Sequence, residues 1–81
     1  MIMYYVYAIK STERNYIYVG LTNNIDRRLH EHNSGYNKTT RPYAPYKVIY
    51  SESFETRKEA RSKEKYLKGT TGKRFLRSLE N

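Results

Sequence analysis

The chain has 81 residues and a formal net charge of +8, because sixteen Lys and Arg outnumber eight Asp and Glu. Ten residues are Tyr. It has no cysteine, which excludes disulfides and thiolate metal sites, and no apolar run reaches the length of a signal peptide or the roughly 20 residues of a membrane span. We therefore expect one soluble, cytoplasmic domain over residues 1–81, with no membrane contact, whose charge favours a polyanionic partner such as nucleic acid.

Two segments rich in β-branched and aromatic residues open the chain, Met3 to Ile9 and Tyr16 to Leu21, and a polar loop over residues 10–15 joins them. This pattern predicts a β-hairpin. Strand alternation places Tyr7 and Tyr18 on one face of the hairpin and smaller apolar residues on the other. If the loop closes symmetrically, the two tyrosines lie opposite each other across the ladder, although a bulge would change that register.

A short helix is predicted next, because the capping residues 22–24 precede an acidic first turn. It runs to about His32, and Gly35 is a natural C-terminal stop. On a helical wheel, Arg28 and His32 flank the apolar stripe of this helix. Three other side chains point away from the stripe: Arg27, His30 and Glu31.

The second half of the chain begins with a proline-containing loop over residues 33–46. A third strand is predicted from Tyr46 to Phe54, and a capping box at Thr56 opens a helix that ends at Gly69. A last short helix is expected, capped at Thr71. The order β-β-α-β-α-α predicts an α+β domain with a small three-stranded, mainly antiparallel sheet flanked by helices.

The two tyrosine motifs carry a resemblance to a known family. The motifs are Tyr5-Val6-Tyr7 and Tyr18-Val19-Gly20, and Tyr7 and Tyr18 are eleven residues apart. Arg28 follows Gly20 by eight residues. This arrangement resembles the pattern of the GIY-YIG nucleases. Glu64, on the helix after the third strand, continues the match. The resemblance covers about residues 4–68, and it is closest to compact single-domain bacterial members, which are similar to the nuclease domain of excision-repair and junction-cleaving endonucleases.

The chain departs from that pattern at a few positions. Tyr5 stands where the family name has glycine, and both motifs have valine where it has isoleucine. Many members carry an asparagine after the glutamate helix, and the only late asparagine here is the terminal Asn81, to which we do not transfer that role. We therefore expect a site in which this last component is missing or replaced.

The resemblance implies a metal-dependent endonuclease that hydrolyses phosphodiester bonds in DNA, including structured or damaged DNA in repair or recombination. Tyr7 and Tyr18 would lie beside the attacking water, and a nearby arginine and metal would favour their phenolate forms. Arg28 would bind the scissile phosphate, and His32 would assist. Glu64 would hold one divalent ion, Mg or Mn.

The residues themselves support part of this assignment. Tyrosines at strand positions are usually packing residues, but two on one face next to a basic helix make an unusual core. Arg28 lies beside the apolar stripe of its helix, whereas Arg27 suits a solvated charge better. Glu64 could simply pair with Lys68, yet it lies on the narrow apolar side of its helix, where a bound cation would explain an acid. Three loop residues are expected to contact the nucleic-acid backbone on charge and position alone: Lys38, Thr40 and Arg41.

Two other functions remain open at this stage. One is a catalytically inactive nucleic-acid-binding module of the same fold, for which Glu64→Ala would have no effect. The other is a small basic RNA-associated protein, which would stack bases on exposed aromatic residues of the sheet. A domain of this size reads little sequence directly, so a protein partner or a dimer is expected to supply specificity.

Overall fold

The computed structural model describes residues 2–79, which form one antiparallel sheet with helices on both faces. The elements are, in order, β1 (Tyr4–Ser11), β2 (Ile17–Thr22), α1 (Ile25–Asn33), a 3-10 turn (Arg41–Tyr43), β3 (Tyr46–Phe54), α2 (Arg57–Lys68) and α3 (Thr70–Ser78). The three strands are arranged β2-β1-β3. The predicted α+β class, element order and antiparallel sheet are confirmed, and none of the helices within residues 2–79 has the length and apolar content to cross a membrane.

The hairpin register differs from the symmetric closure that the loop predicted. Tyr7 pairs with Gly20, and Tyr18 pairs with Ile9, so the two tyrosines are diagonal neighbours rather than opposite each other. The cause lies in the loop: the Ser11 hydroxyl accepts hydrogen bonds from the backbone N–H groups of residues 13 and 14, at 3.2 and 3.0 Å. Residues 10 and 11 therefore extend β1 and shift the pairing by two positions. A shift of two preserves the face of every side chain.

The two faces of the sheet carry two separate apolar clusters. On one face, buried residues of β1 and β2 pack against α2 and α3; this cluster contains Val6, Ala8, Ile17, Val19, Ala60, Leu67 and Leu76. On the other face, Tyr7, Ile9 and Tyr46 are the buried residues, and partly buried side chains of α1 and the tyrosine-rich loops surround them. The predicted division of the hairpin residues between two faces is therefore confirmed.

Helix ends follow the capping signals with one exception. The Asn24 side chain caps the start of α1 by accepting a hydrogen bond from the Arg27 N–H at 3.0 Å. Gly35 terminates the helix after its C-cap with a φ of +83°, a conformation that favours glycine. The Thr56 hydroxyl caps α2. The predicted cap of α3 at Thr71 is wrong: Gly69 ends α2 and also precedes α3, so residue 71 already lies in the first helical turn.

The segment between α1 and β3 is fastened at both ends. The Asn33 side-chain oxygen accepts from the Tyr46 N–H at 2.7 Å, and its amide nitrogen donates to the Tyr46 carbonyl at 3.4 Å. This clamp holds the end of α1 against the start of β3. The intervening segment was predicted to be irregular, and the short 3-10 turn is the one helical element in it. Its residues Tyr43 and Ala44 pack on the same sheet face as α1.

Candidate active site

A buried row of hydrogen-bonded side chains lies at the centre of the site. The Tyr7 hydroxyl is 2.9 Å from His32 Nε2, and His32 Nδ1 is 2.8 Å from the Thr40 hydroxyl. The Tyr46 hydroxyl donates to the Thr40 carbonyl at 2.7 Å. Tyr7, His32 and Thr40 are at most 1% exposed. Strand β1, helix α1 and the following loop thus meet through side chains that are far apart in the sequence.

The direction of these hydrogen bonds follows from their partners. The Thr40 hydroxyl reaches the Asn37 carbonyl at 3.5 Å, so it can donate there and accept from His32 Nδ1–H. His32 Nε2 is then the acceptor for the Tyr7 O–H. In the reverse arrangement, no acceptor within residues 2–79 is in reach of the Tyr7 proton. This direction leaves the Tyr7 oxygen free to accept a hydrogen bond from Arg28.

Burial sets the protonation of the two central groups. It raises the pKa of the Tyr7 phenol, and the nearby Arg28 opposes that shift without reversing it. Arg28 therefore acts in the expected direction, but burial outweighs it, and Tyr7 is a neutral donor. Burial, together with the positive charge of Arg28, lowers the pKa of His32 below its usual range, so His32 is neutral at pH 7.

Gly20 provides the space for the Tyr7 phenol. Tyr7 lies directly across the ladder from Gly20, and a Cβ atom built at Gly20 would stand 2.5 Å from the phenol oxygen. Any side chain at this position would displace the ring from its hydrogen bond with His32. The glycine that closes the second tyrosine motif is thus required by close packing rather than by an unusual backbone conformation.

Tyr18 is the outer member of the aromatic group. Its ring centroid is 6.4 Å from that of Tyr7 and 5.0 Å from that of His32. Unlike the almost fully buried Tyr7, Tyr18 is partly exposed. Of the two motif tyrosines, Tyr18 is therefore the one that solvent or a ligand can reach.

Arg28 brings a fixed positive charge to the rim of this group. Its Nη1 donates to Glu31 Oε1 at 2.6 Å, and each of the two side chains is 29% exposed. Burial alone would lower the pKa of Arg28, but the hydrogen bond to Glu31 raises it, so the guanidinium stays charged. The prediction that Glu31 points away is wrong. Its spacing of three residues from Arg28 was the sequence signal for this pair.

Glu64 lies on α2 with a side chain that is 16% exposed, and two cations of the same helix hold it. Lys68 Nζ is 3.1 Å and Arg61 Nε is 4.0 Å from its carboxylate. The predicted pair with Lys68 is therefore present. The Glu64 charge also contributes to raising the pKa of Tyr7, which connects this carboxylate with the tyrosine side of the site.

The donor set can be compared with what a divalent ion requires. Nowhere in residues 2–79 do three His, Cys, Asp or Glu side chains gather into a metal-binding group. A single carboxylate nevertheless fits magnesium, which commonly takes one or two protein carboxylates and completes its shell with water and substrate phosphate. Glu64, with a side chain that is 16% exposed, offers one such carboxylate. Asn81, the late asparagine, lies outside the described residues.

The three loop residues expected to contact nucleic acid separate into two groups. Lys38 and Arg41 are exposed and remain available. Thr40 is fully buried, and its hydroxyl and carbonyl bind His32 and Tyr46. The expectation for Thr40 is corrected accordingly: it supports His32. No sequence pattern indicates this role, since burial of a polar loop residue depends on packing with β3.

Comparisons with known proteins agree with the architecture. The family model for the GIY-YIG catalytic domain matches residues 3–78. A UPF0213 protein of Clostridium perfringens is 39% identical over 80 residues, covering 98% of this chain and 85% of that protein. The UPF0213 protein YazA of Bacillus subtilis is 35% identical over 72 residues, or 88% of this chain and 72% of that protein. The solution NMR structure of a UPF0213 protein from Bacillus halodurans is 30% identical, with a TM-score of 0.57, covering 98% of this chain and 86% of that one.

Proposed function

The chain belongs to the GIY-YIG catalytic-domain family, a nuclease superfamily, and we propose that it is a metal-dependent endonuclease that hydrolyses phosphodiester bonds in DNA. The names of its UPF0213 relatives state no activity. The proposal is carried by one observation: Arg28 lies at the rim of a sheet face on which Tyr7, Tyr18 and His32 meet. The guanidinium group of Arg28 is always charged, and its position beside phenol groups suits the binding of a phosphate that a water molecule attacks.

Arg28 is the residue that binds the scissile phosphate. Its planar guanidinium can contact two phosphate oxygens and stabilise the charge that develops on them in the transition state. In the resting site this fork is held by Glu31 at 2.6 Å. A phosphate must therefore compete with a carboxylate for Arg28, or share it.

Tyr18 is the tyrosine that contacts the attacking water and helps to remove its proton. Exposure supports this choice, because Tyr7 is 1% exposed and Tyr18 is partly open. Hydrogen bonding supports it too: the Tyr7 proton goes to His32, and its oxygen lies next to Arg28. Tyr7 and His32, both buried and hydrogen-bonded to each other, form the inner wall of the site.

Glu64 would hold one divalent ion, Mg or Mn, whose positive charge, when bound, stabilises the leaving oxygen of the phosphodiester. The pair with Lys68 at 3.1 Å favours a second candidate function. A carboxylate already neutralised by lysine is what a nucleic-acid-binding module without cleavage would retain. The two functions differ in whether divalent ions change what happens to bound DNA.

We propose DNA as the substrate and branched, nicked or damaged DNA in repair or recombination as its setting. The basic charge of +8 supports affinity for the backbone of any nucleic acid. A domain of this size reaches few base edges, so DNA shape or a protein partner would supply specificity. Structured DNA is preferred over plain duplex on this reasoning.

A cleavage assay tests the proposal. Supercoiled plasmid, branched DNA and structured RNA are incubated with the purified protein in magnesium, manganese or EDTA. We expect metal-dependent cutting that Tyr18→Phe, Arg28→Gln and Glu64→Gln each reduce by about two to three orders of magnitude. Glu59→Gln is the matched control on α2, since within residues 2–79 the side-chain hydrogen bonds of Glu59 are those with the Thr56 cap.

The outcomes separate the two candidate functions. Cutting of RNA alone would remove DNA as the substrate. Metal-dependent cutting by Glu64→Gln at the rate of the unchanged protein would remove Glu64 from the metal site. Binding of DNA without cutting, with any of the metals, would establish the binding module instead.

A further inference from the structure

An open cavity of about 450 Å³ adjoins the proposed site on the far side of Arg28. Three arginines from two different helices line it: Arg27 and Arg28 from α1, and Arg57 from the first position of α2. Tyr4 and Glu31 are among the other residues that line it. The volume lies in the range of about 300–1,000 Å³ typical of small-ligand sites, and Arg28 is the residue that this cavity shares with the proposed phosphate site.

Among residues 2–79, only one of the three arginines that line this cavity has a carboxylate partner. Arg28 is paired with Glu31, but no carboxylate within residues 2–79 lies within 4.0 Å of Arg27 or Arg57. The hydrogen bond of Arg27 Nη2 at 3.2 Å goes to the neutral side chain of Asn23. Two unpaired guanidinium groups therefore border the same concave surface.

Exposed arginines are common on a basic protein, so charge alone does not define a ligand site. The arrangement here is more specific. Arg27 and Arg57 belong to helices that pack on opposite faces of the sheet, yet both line one cavity. Bringing like charges together is unfavourable unless solvent or an anion compensates them. The start of α2 adds further positive potential, because its first N–H groups point toward its N-terminus.

We propose that Arg27 and Arg57 bind the phosphate of the nucleic-acid strand that neighbours the scissile phosphate at Arg28. The inference rests on the proposed function and adds a second phosphate subsite to it. Guanidinium groups match phosphate oxygens in two-point contacts. Contacts to two successive phosphates fix the orientation of the strand, so the pair would align the scissile bond relative to Tyr18.

This role predicts a kinetic signature different from that of Arg28. Contacts to a phosphate that does not react stabilise the ground state and the transition state equally. Arg27→Gln and Arg57→Gln should therefore each weaken binding about tenfold and raise KM by the same factor, while kcat stays within about twofold. Arg28→Gln should instead lower kcat.

Binding is measured by fluorescence anisotropy in EDTA, with a branched DNA of the kind used for cleavage and at several salt concentrations. Loss of one phosphate contact should lower the slope of log affinity against log salt by about 0.9 on duplex. Lys58→Gln is the matched control, because Lys58 follows Arg57 on the exposed side of α2 and does not line the cavity. It removes the same net charge and should change the slope by less than half as much.

Single methylphosphonate substitutions identify the phosphate. Replacing the neighbouring phosphate by a neutral group should weaken DNA binding by the unchanged protein about tenfold. It should have no further effect on DNA binding by the Arg27→Gln, Arg57→Gln double variant. If that variant is no weaker than Lys58→Gln, the second subsite is wrong, although cleavage by the unchanged protein would leave the proposed function intact. If the binding effects are as expected but no DNA is cut, the proposed function is wrong, and Arg27 and Arg57 bind a phosphate in a module that does not cleave. Failure of the unchanged protein to bind any nucleic acid overturns both.

Discussion

Replacing Gly20 by alanine tests whether the position of the Tyr7 phenol depends on the empty space opposite it. The added Cβ would stand 2.5 Å from the Tyr7 oxygen and 2.7 Å from Cζ. Since non-bonded carbon contacts are comfortable near 3.5–4.0 Å, the ring must move by about 1 Å. Tyr7 is 1% exposed and bonded to His32 at 2.9 Å, so it cannot move without breaking that bond or disturbing its neighbours.

The size of the effect follows from two opposing contributions. Overpacking of a buried position costs about 1–3 kcal/mol, and loss of the hydrogen bond to His32 adds about 0.5–1.5 kcal/mol. Alanine in a strand regains about 0.5–1 kcal/mol of the conformational entropy that glycine loses. The free energy of unfolding of Gly20→Ala should therefore fall by about 0.5–4 kcal/mol. A displacement of 1 Å in the site should lower the cleavage rate by about a hundredfold.

Substitutions at two other glycines distinguish the effect on the free energy of unfolding from the effect on the cleavage rate. At Gly69 the nearest contact of an added Cβ is 3.4 Å, so Gly69→Ala should change neither stability nor activity appreciably. At Gly72 it would lie 2.3 Å from the Tyr66 carbonyl and 2.4 Å from the Leu67 Cα. Because backbone atoms cannot swing aside, Gly72→Ala should destabilise at least as much as Gly20→Ala while leaving Tyr7 in place.

Urea denaturation followed by circular dichroism gives the free energy of unfolding, and a plasmid-cleavage assay gives the rate, corrected for the folded fraction. The expected pattern is loss of activity per folded molecule in Gly20→Ala and its retention in Gly72→Ala. Equal activity per folded molecule in both variants would refute the idea that Tyr7 must remain against Gly20 for catalysis. Unchanged stability of Gly20→Ala would show that the phenol has room to move.

Three further changes test the charges and hydrogen bonds around the site. Glu31→Gln should tighten DNA binding by up to about fivefold at low salt, because an exposed ion pair such as Arg28–Glu31 is worth about 0.2–1 kcal/mol; an anisotropy titration that finds no change would mean that Glu31 does not compete with phosphate. The pKa of His32 is lowered by burial, so the unfolded chain binds more protons below its own pKa of about 6.5. Stability should fall as the pH decreases from 6.5 toward the folded pKa, and His32→Gln should flatten that dependence of the urea midpoint; parallel profiles would contradict the shift. Tyr46→Phe deletes the 2.7 Å hydrogen bond to the Thr40 carbonyl and should cost about 1 kcal/mol in thermal denaturation, whereas an unchanged melting temperature would show that this bond contributes nothing.

Strand periodicity predicted which side chains share a face, because alternation survives any register shift of an even number of residues. It did not predict the partners. Tyr7 pairs with Gly20 rather than with Tyr18, since the register depends on how the Ser11 hydroxyl shapes the loop. The close approach of Tyr7 to Gly20 was therefore outside the reach of sequence pattern alone.

Helical spacing predicted the site residues on α1 in part. It placed Arg28 and His32 on the side that faces the sheet, where the structure also has them. It misplaced Glu31, because a helical wheel gives the direction of the Cβ atom and not the reach of a long side chain. Charge and position alone predicted that Thr40 contacts nucleic acid, whereas Thr40 is fully buried in the loop that the Asn33–Tyr46 hydrogen bonds hold against β3.

The two charged groups that the proposed reaction needs are both paired within their own helices. Arg28 is held by Glu31 three residues later, and Glu64 is held by Lys68 four residues later. The groups between them, Tyr7 and His32, are neutral at pH 7 because burial shifts the pKa of each away from its charged form. Because the buried groups are neutral and the charged groups at the rim are paired, the desolvation free-energy penalty is small in the absence of substrate. Binding of a phosphate and its cation would then replace these internal partners, the phosphate at Arg28 and the cation at Glu64. The released Glu31 and Lys68 side chains are 29% and 54% exposed, so solvent can compensate their charges.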